Sequence, residues 1–222
     1  MASNAQSDMT LAKLVCSTPN GDKLMAYCAR VSNPANQNNP DSARLLRYCI
    51  THKHWSVFEQ ADMTVEICTT LPIATQLLRH RSFTFQQFSQ RYADVGTLAS
   101  GTFYVLPQLR LQDKTNRQNS LDGMPADTQA AFLARCELHF QAAQALYNDM
   151  VAAGVAKECA RFVLPQATLT RLYMKGCCRS WIHYLMSRCD EATQKEHRDV
   201  ALAIKAIFCS IWPDVAAALE WS

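Results

Sequence analysis

The chain has 222 residues, ample for a hydrophobic core and enough for one large domain or two small ones. Hydrophobic residues make up 49% and charged residues 18%, which excludes a disordered chain. A formal net charge of +3 is too small for a nucleic-acid coat or a polybasic membrane protein.

The opening MASNAQSDMT is polar with no apolar run, so no signal peptide is read there, and residues 1–10 are expected to form a flexible tail. Asp22–Ser32 and Asp41–Lys53 read as helices, the second with Leu45, Leu46, Cys49 and Ile50 on one side. NPANQNNP between them is a loop by composition. Residues 61–69 alternate Met63, Val65 and Ile67 with polar neighbours, a strand period. Pro72 suits the first turn of a helix reaching Arg79 or Arg81. Residues 82–86 read as a half-buried strand that breaks at Gln86–Gln87, after which Ser89 and Arg91 fall on one side of an extended chain.

Residues 94–124 are polar and loop-rich. Pro125 opens a long helix ending near Gly154, a good residue for the position just past a helix end. A short helix is stopped by Pro165, 168–175 is a candidate strand, and Cys177–Arg188 is helical. Thr193 and Glu196 have the spacing of a capping box for the last long helix, which runs through Phe208 to Trp212. One α+β domain over residues 1–222, a mixed antiparallel sheet with several long helices, is the economical reading.

The ten cysteines include no C-x-x-C pair and read as reduced thiols of a cytosolic protein. The run VALAIKAIF is short and broken by Lys205, so no membrane span is read. His52-x-His54 has half the ligands of a metal site and no evident third, so no metal is assigned.

The densest basic cluster is Arg79-His80-Arg81, at an expected helix end, with Gln76 on the same face. By itself such a triplet reads as a solvated helix terminus favoured by the macrodipole. The next residues change that weighing. Two arginines, a loop of amides and hydroxyls, then Ser89 and Arg91 could hold a phosphate or a planar ring rich in acceptors.

RHRSFTFQQFSQRY, read from Arg79, closely resembles the signature of the flavin-dependent thymidylate synthases. CARVSNP (28–34), HKHWSVFE (52–59) and GVAKECARFVLP (154–165) resemble further elements of that family. The resemblance spans roughly residues 20–212 and is closest to the shorter viral type. It implies an α+β enzyme that makes dTMP from dUMP, with methylenetetrahydrofolate as carbon donor, tightly bound FAD as redox carrier and NADPH as reductant. It also implies a cytoplasmic homotetramer, in host cytoplasm if viral, whose active sites are shared between subunits.

Carried over by position, Arg188 matches an arginine at the uracil edge and His54 a histidine near the flavin that affects turnover. Gln76, Arg79, Gln87, Ser89, Gln90, Arg91, Arg161 and Arg188 match dUMP contacts. Ser56, Glu59, Arg79, His80, Arg81, Arg179 and His183 match flavin contacts. Departures from the pattern are Thr84 for Ser, Gln86 for Asn, Gln87 for Glu, and Cys177 and His183 for two Asn. Two other readings compete with this one. A divergent relative would hydroxymethylate a pyrimidine nucleotide. A non-enzymatic binder would use RHR and Asn116–Asn119 on RNA, against which the small net charge argues.

Overall fold

The computed structural model describes residues 11–98, 104–106 and 108–221, so the expected tail at 1–10 lies outside them. In chain order the elements are β1 (Ala12–Ser17), α1 (Gly21–Ala29), α2 (Ala43–Thr51), β2 (Asp62–Thr70), α3 (Leu71–Leu77), β3 (Thr84–Gln87), β4 (Leu111–Gln112), β5 (Ser120–Leu121), α4 (Ala126–Ala152), α5 (Lys157–Ala160), β6 (Leu169–Cys177), α6 (Cys178–Arg188), α7 (Lys195–Ile211) and α8 (Pro213–Ala218). The main sheet has the order β1-β2-β6-β3, and β4 and β5 form a separate antiparallel pair. No helix among the described residues is long and apolar enough to cross a membrane.

The described residues divide into two compact units. One comprises 68–77 and the described part of 87–171; the other comprises 11–67, 78–86 and 172–221.

In the second unit the β2 alternation holds, with Met63, Val65 and Ile67 fully buried. β1 lies antiparallel to β2, with Ala12 opposite Ile67 and Ser17 opposite Met63, and its register shifts between Leu14 and Cys16. α6 closes over this core. Trp181 is fully buried, and its indole N–H is shared between Gly176 O at 3.0 Å and Met63 O at 3.3 Å.

α2 ends in a Schellman turn, in which His54 N donates to Cys49 O at 2.8 Å and Lys53 N to Ile50 O at 3.0 Å. Lys53 takes the left-handed conformation there (φ 59°), where glycine is more usual. Backbone tension is therefore spent at the residue that presents His54.

The expected capping box at Thr193 is not formed. Gln194 occupies the N-cap position of α7, and Thr193 Oγ1 instead donates to Ser187 O at 3.2 Å, closing the loop after α6. The helix that opens at Pro72 also falls short of its expected end, because α3 stops at Leu77. The chain then turns, Phe83 N donating to His80 O, and this delivers the buried Phe83 ring to Trp181 at 4.6 Å. Arg79, His80 and Arg81 thus lie in a turn, not on the helix face expected to carry Gln76.

A buried carboxyl joins α1 to α8. Asp22 Oδ2 accepts Asp214 N–H at 3.0 Å, while Oδ1 is buried without a hydrogen-bond partner among the described residues. Burial raises its pKa to about 6 from 3.8. The folded state therefore binds the proton more tightly, and stability is lost as pH rises from about 4 through 6, by about 3 kcal/mol in all. Asp22→Asn should raise the unfolding free energy at pH 7.5 by ~1–3 kcal/mol and change it little at pH 4. Urea titrations at the two pH values check this; an equal gain at both would contradict it.

In the first unit, Val95, Tyr147 and Ala160 form a buried cluster with Met150, Val151, Val155, Val163 and Leu164 around it. The long helix stops as expected. Gly154 (φ 84°) completes a Schellman turn, Val155 N donating to Met150 O at 2.9 Å and Gly154 N to Val151 O at 3.0 Å.

Candidate active site

In the first unit the segment after β3 is not extended. Tyr92 N and Ala93 N both donate to Ser89 O, at 3.1 and 2.9 Å, so residues 89–93 coil into a tight turn. Ser89 and Arg91 are therefore presented by a turn and not as alternate residues of a strand. Two contacts fasten this turn to α5. Arg91 Nε donates to Glu158 Oε2 at 2.6 Å, and Lys157 Nζ donates to Tyr92 O at 3.4 Å. Arg161 opens the 3-10 turn that follows α5 and lies over the exposed Phe162 ring at 5.8 Å.

The preceding segment is pinned as well. Gln87 Nε2 donates to Thr170 Oγ1 at 3.2 Å and Phe88 N to Arg171 O at 2.8 Å. Gln90 Nε2 is buried and has no hydrogen-bond partner among the described residues. A buried donor left unpaired costs about 1–3 kcal/mol. Gln76 lies on α3, half-buried. Lys157 and Glu158 were missed from sequence, although Glu158 stands in the same element as Arg161.

In the second unit the turn bearing Arg79, His80 and Arg81 abuts the start of α6, Ser180 Oγ donating to Ser82 O at 3.2 Å. The two arginines are exposed, and Arg179 stands next to Ser180 in the first turn of the helix. Arginines beside a helix N-terminus make a donor set suited to phosphate. Arg179 Nη1 is engaged by Glu59 Oε1 at 2.5 Å, so these two expected flavin contacts hold each other. Ser56 shares the 3-10 turn Trp55–Glu59 and is exposed. His183 is exposed too, its ring 4.8 Å from Trp55. Cys177 Sγ lies 3.4 Å from Ser180 Oγ.

His54 is exposed in an aromatic group with Tyr48 at 5.9 Å and His52 at 6.0 Å. No three His, Cys, Asp or Glu side chains gather as a metal site among the described residues.

Arg188 ends α6, half-buried. Among the described residues it has no carboxylate partner; Asp190 instead accepts Ala192 N–H at 2.8 Å. Arg188 Nε donates to His80 Nε2 at 3.2 Å. Burial, and then the Arg188 charge, hold the His80 pKa below its ordinary value.

A family model described as "Thymidylate synthase complementing protein" matches residues 13–214. The chain belongs to this family. It is 54% identical over 198 residues to a flavin-dependent thymidylate synthase of Synechocystis sp., covering 89% of each chain. It is 51% identical over 201 residues to a probable flavin-dependent thymidylate synthase of Paramecium bursaria Chlorella virus 1, covering 90% of this chain and 91% of that one. The sequence-based resemblance, viral relatives included, is thus met. Among solved structures, a UMP/dUMP methylase PolB of Streptomyces cacaoi bound with 5-Br dUMP superposes with a TM-score of 0.81 at 26% identity, over 94% of both chains. The mixed helical and antiparallel-sheet fold agrees with the expected class.

Proposed function

We propose that this protein of the Thy1 family is a flavin-dependent thymidylate synthase, converting dUMP to dTMP with methylenetetrahydrofolate as carbon donor and NADPH as reductant. The observation that carries the reading is the set of arginines, each placed by its own element: Arg91 on the 89–93 turn, Arg161 after α5, Arg79 and Arg81 in the turn after α3, and Arg188 at the end of α6. The relatives named above, and the 5-Br dUMP in the PolB structure, support the nucleotide and the flavin.

The donor set fits FAD. Arg79 and Arg81 would hold its phosphates beside the α6 N-terminus, while His80, Arg179, His183, Ser56 and Glu59 line its surroundings. When bound, a flavin supplies the two electrons that turn a transferred methylene carbon into a methyl group. The chain's own residues bind and polarise. Ser89, Gln90, Arg91 and Arg161 hold the nucleotide, largely its phosphate, with Gln76, Arg79 and Gln87 as further contacts. Arg188 places a fixed positive charge at the uracil edge, where negative charge develops as the ring carbon becomes nucleophilic. His54 would stand near the flavin, where it would affect turnover.

The protein works as one catalytic domain in a homotetramer whose subunits share active sites. The exposed Leu138 and Leu146 of α4 are side chains that a second copy would cover. All ten cysteines are free thiols, which suits a reducing compartment such as the cytoplasm.

Methylation replaces the hydrogen at C5 of the uracil, so tritium release from 5-tritiated dUMP tests the reading. Release that depends on NADPH and methylenetetrahydrofolate, with dTMP formed in equal amount, is expected; release without dTMP would overturn it.

The Arg91–Glu158 pair adds a second test. Both side chains are largely exposed, at 72% and 47%, so the pair is worth at most about 1 kcal/mol. A nucleotide phosphate competes with Glu158 for Arg91. Glu158→Gln should therefore tighten dUMP binding by about 2–5-fold at low salt, read by calorimetry. Weaker binding would mean that the carboxylate orients Arg91 for the nucleotide.

A further inference from the structure

Beneath Arg188 lies a cluster of which the reading above uses only His80, and that only beside the flavin. Tyr184 stands four residues before Arg188 on α6, hence on the same helix face. It is buried, and its hydroxyl lies 3.2 Å from Nε2 of His197, which is also buried, in the first turn of α7. The His80 ring meets Tyr184 edge-on at 5.0 Å and 84° and lies 6.2 Å from the His197 ring. Phe83 touches the same Tyr184 ring at 5.9 Å. His80 is therefore walled by α6, by α7 and by its own turn.

The chemistry of the Arg188–His80 bond runs one way. A guanidinium nitrogen has only hydrogens to offer, so His80 Nε2 must be the acceptor and the imidazole hydrogen sits on Nδ1. Its neighbours favour the uncharged ring. Burial first, then Arg188 and His80, lower the His197 pKa to about 4, so the charge that His80 faces is that of Arg188.

We infer that His80 is a positioning residue for Arg188, its Nε2 fixing the plane of the guanidinium through the Nε–H, and that the buried Tyr184–His197 pair holds His80 in place. This rests on the proposed role of Arg188 toward dUMP. It gives the middle residue of the RHR triplet a task distinct from flavin contact. A half-buried arginine without a carboxylate would otherwise sample several rotamers, and a misdirected guanidinium stabilises no transition state.

A double-mutant cycle tests the inference. His80→Leu keeps apolar bulk and removes the acceptor; His80→Gln returns an acceptor oxygen. With flavin content read from visible absorbance, His80→Leu should lower kcat about 30–100-fold, keep its flavin and leave the KM for dUMP within about 3-fold. His80→Gln should recover about 10-fold of that loss. Tyr184→Phe, which removes the hydroxyl and keeps the ring, should cost about 3–10-fold in kcat. In an Arg188→Ala background His80→Leu should cost nothing further, because the two act as a unit. Multiplying losses, or a His80→Leu protein that has lost its flavin, would overturn the inference.

Nitrogen NMR of the histidine-labelled protein without dUMP gives a readout independent of turnover. An unprotonated, hydrogen-bonded Nε2 on His80 that shifts in Arg188→Ala is expected; a protonated Nε2 would overturn the inference. If that signature stands in a wild-type protein that makes no dTMP, the functional reading has failed and the contact has not.

Discussion

Arg188→Ala should lower kcat for dTMP formation by about 10³-fold, to a residual rate that can still be measured, and leave the protein folded and flavin-bound. The side chain ends α6 and is half-buried, and among the described residues its bond goes to a neutral acceptor, His80, and to no carboxylate. Its charge is therefore not cancelled locally. A preorganised positive group aimed at developing negative charge is worth about 3–4 kcal/mol in a transition state, which is the predicted factor. The expected flavin contacts belong to other residues, Arg79, Arg81 and Arg179 among them, so cofactor content should survive. Arg188→Lys should recover little, because an ammonium cannot offer the planar Nε–H that His80 accepts. Steady-state dTMP formation with the visible spectrum of the same sample checks both halves. Loss of flavin and fold together would contradict the assignment.

Gly176→Ala should destabilise the protein by about 2–3 kcal/mol and weaken flavin retention, although Gly176 is not among the expected flavin or dUMP contacts. A Cβ built on Gly176 would stand 2.5 Å from both Cδ1 and Cε1 of Phe83. That ring has nowhere to retreat. It packs on Trp181 at 4.6 Å, Tyr184 at 5.9 Å and Phe85 at 6.3 Å, and is itself buried. Phe83 is also the anchor of the Arg79–Arg81 turn, so displacing it moves the residues expected to hold the flavin phosphates. Close packing turns a single methyl into a shift of the backbone beside it. Chemical denaturation and flavin titration should show both losses together; a stable variant with full flavin content would contradict this packing account.

Local periodicity made much of the fold legible in the sequence. The alternation of Met63, Val65 and Ile67 gave β2, and Pro125 with Gly154 bracketed α4 to within a few residues. β1 was not legible. It has only Ala12–Ser17 to declare itself, and the register shift after Leu14 breaks the alternation that would have marked it. The helix after Pro72 was read too long, because propensity could not foresee that burial of Phe83 against Trp181, 98 residues away, would pull the chain into a turn.

The site was legible in a different way. A long signature named the arginines and the serine but could not pair them. The contacts of Arg91 with Glu158 and of Arg188 with His80 join residues 67 and 108 apart in sequence and exist only once the chain has folded. The same is true of the Tyr184–His197 pair, which lies outside the signature and has no local pattern at all.

The most direct measurement is the visible absorption of the purified protein, first alone, then with NADPH, then with NADPH and dUMP. A bound flavin that bleaches with NADPH, and bleaches faster once dUMP occupies the nucleotide site, is the result this account predicts. A colourless protein that takes up no added FAD would contradict it, and would point to Cys177 and His183, the departures expected at the flavin from the family resemblance, as the cause.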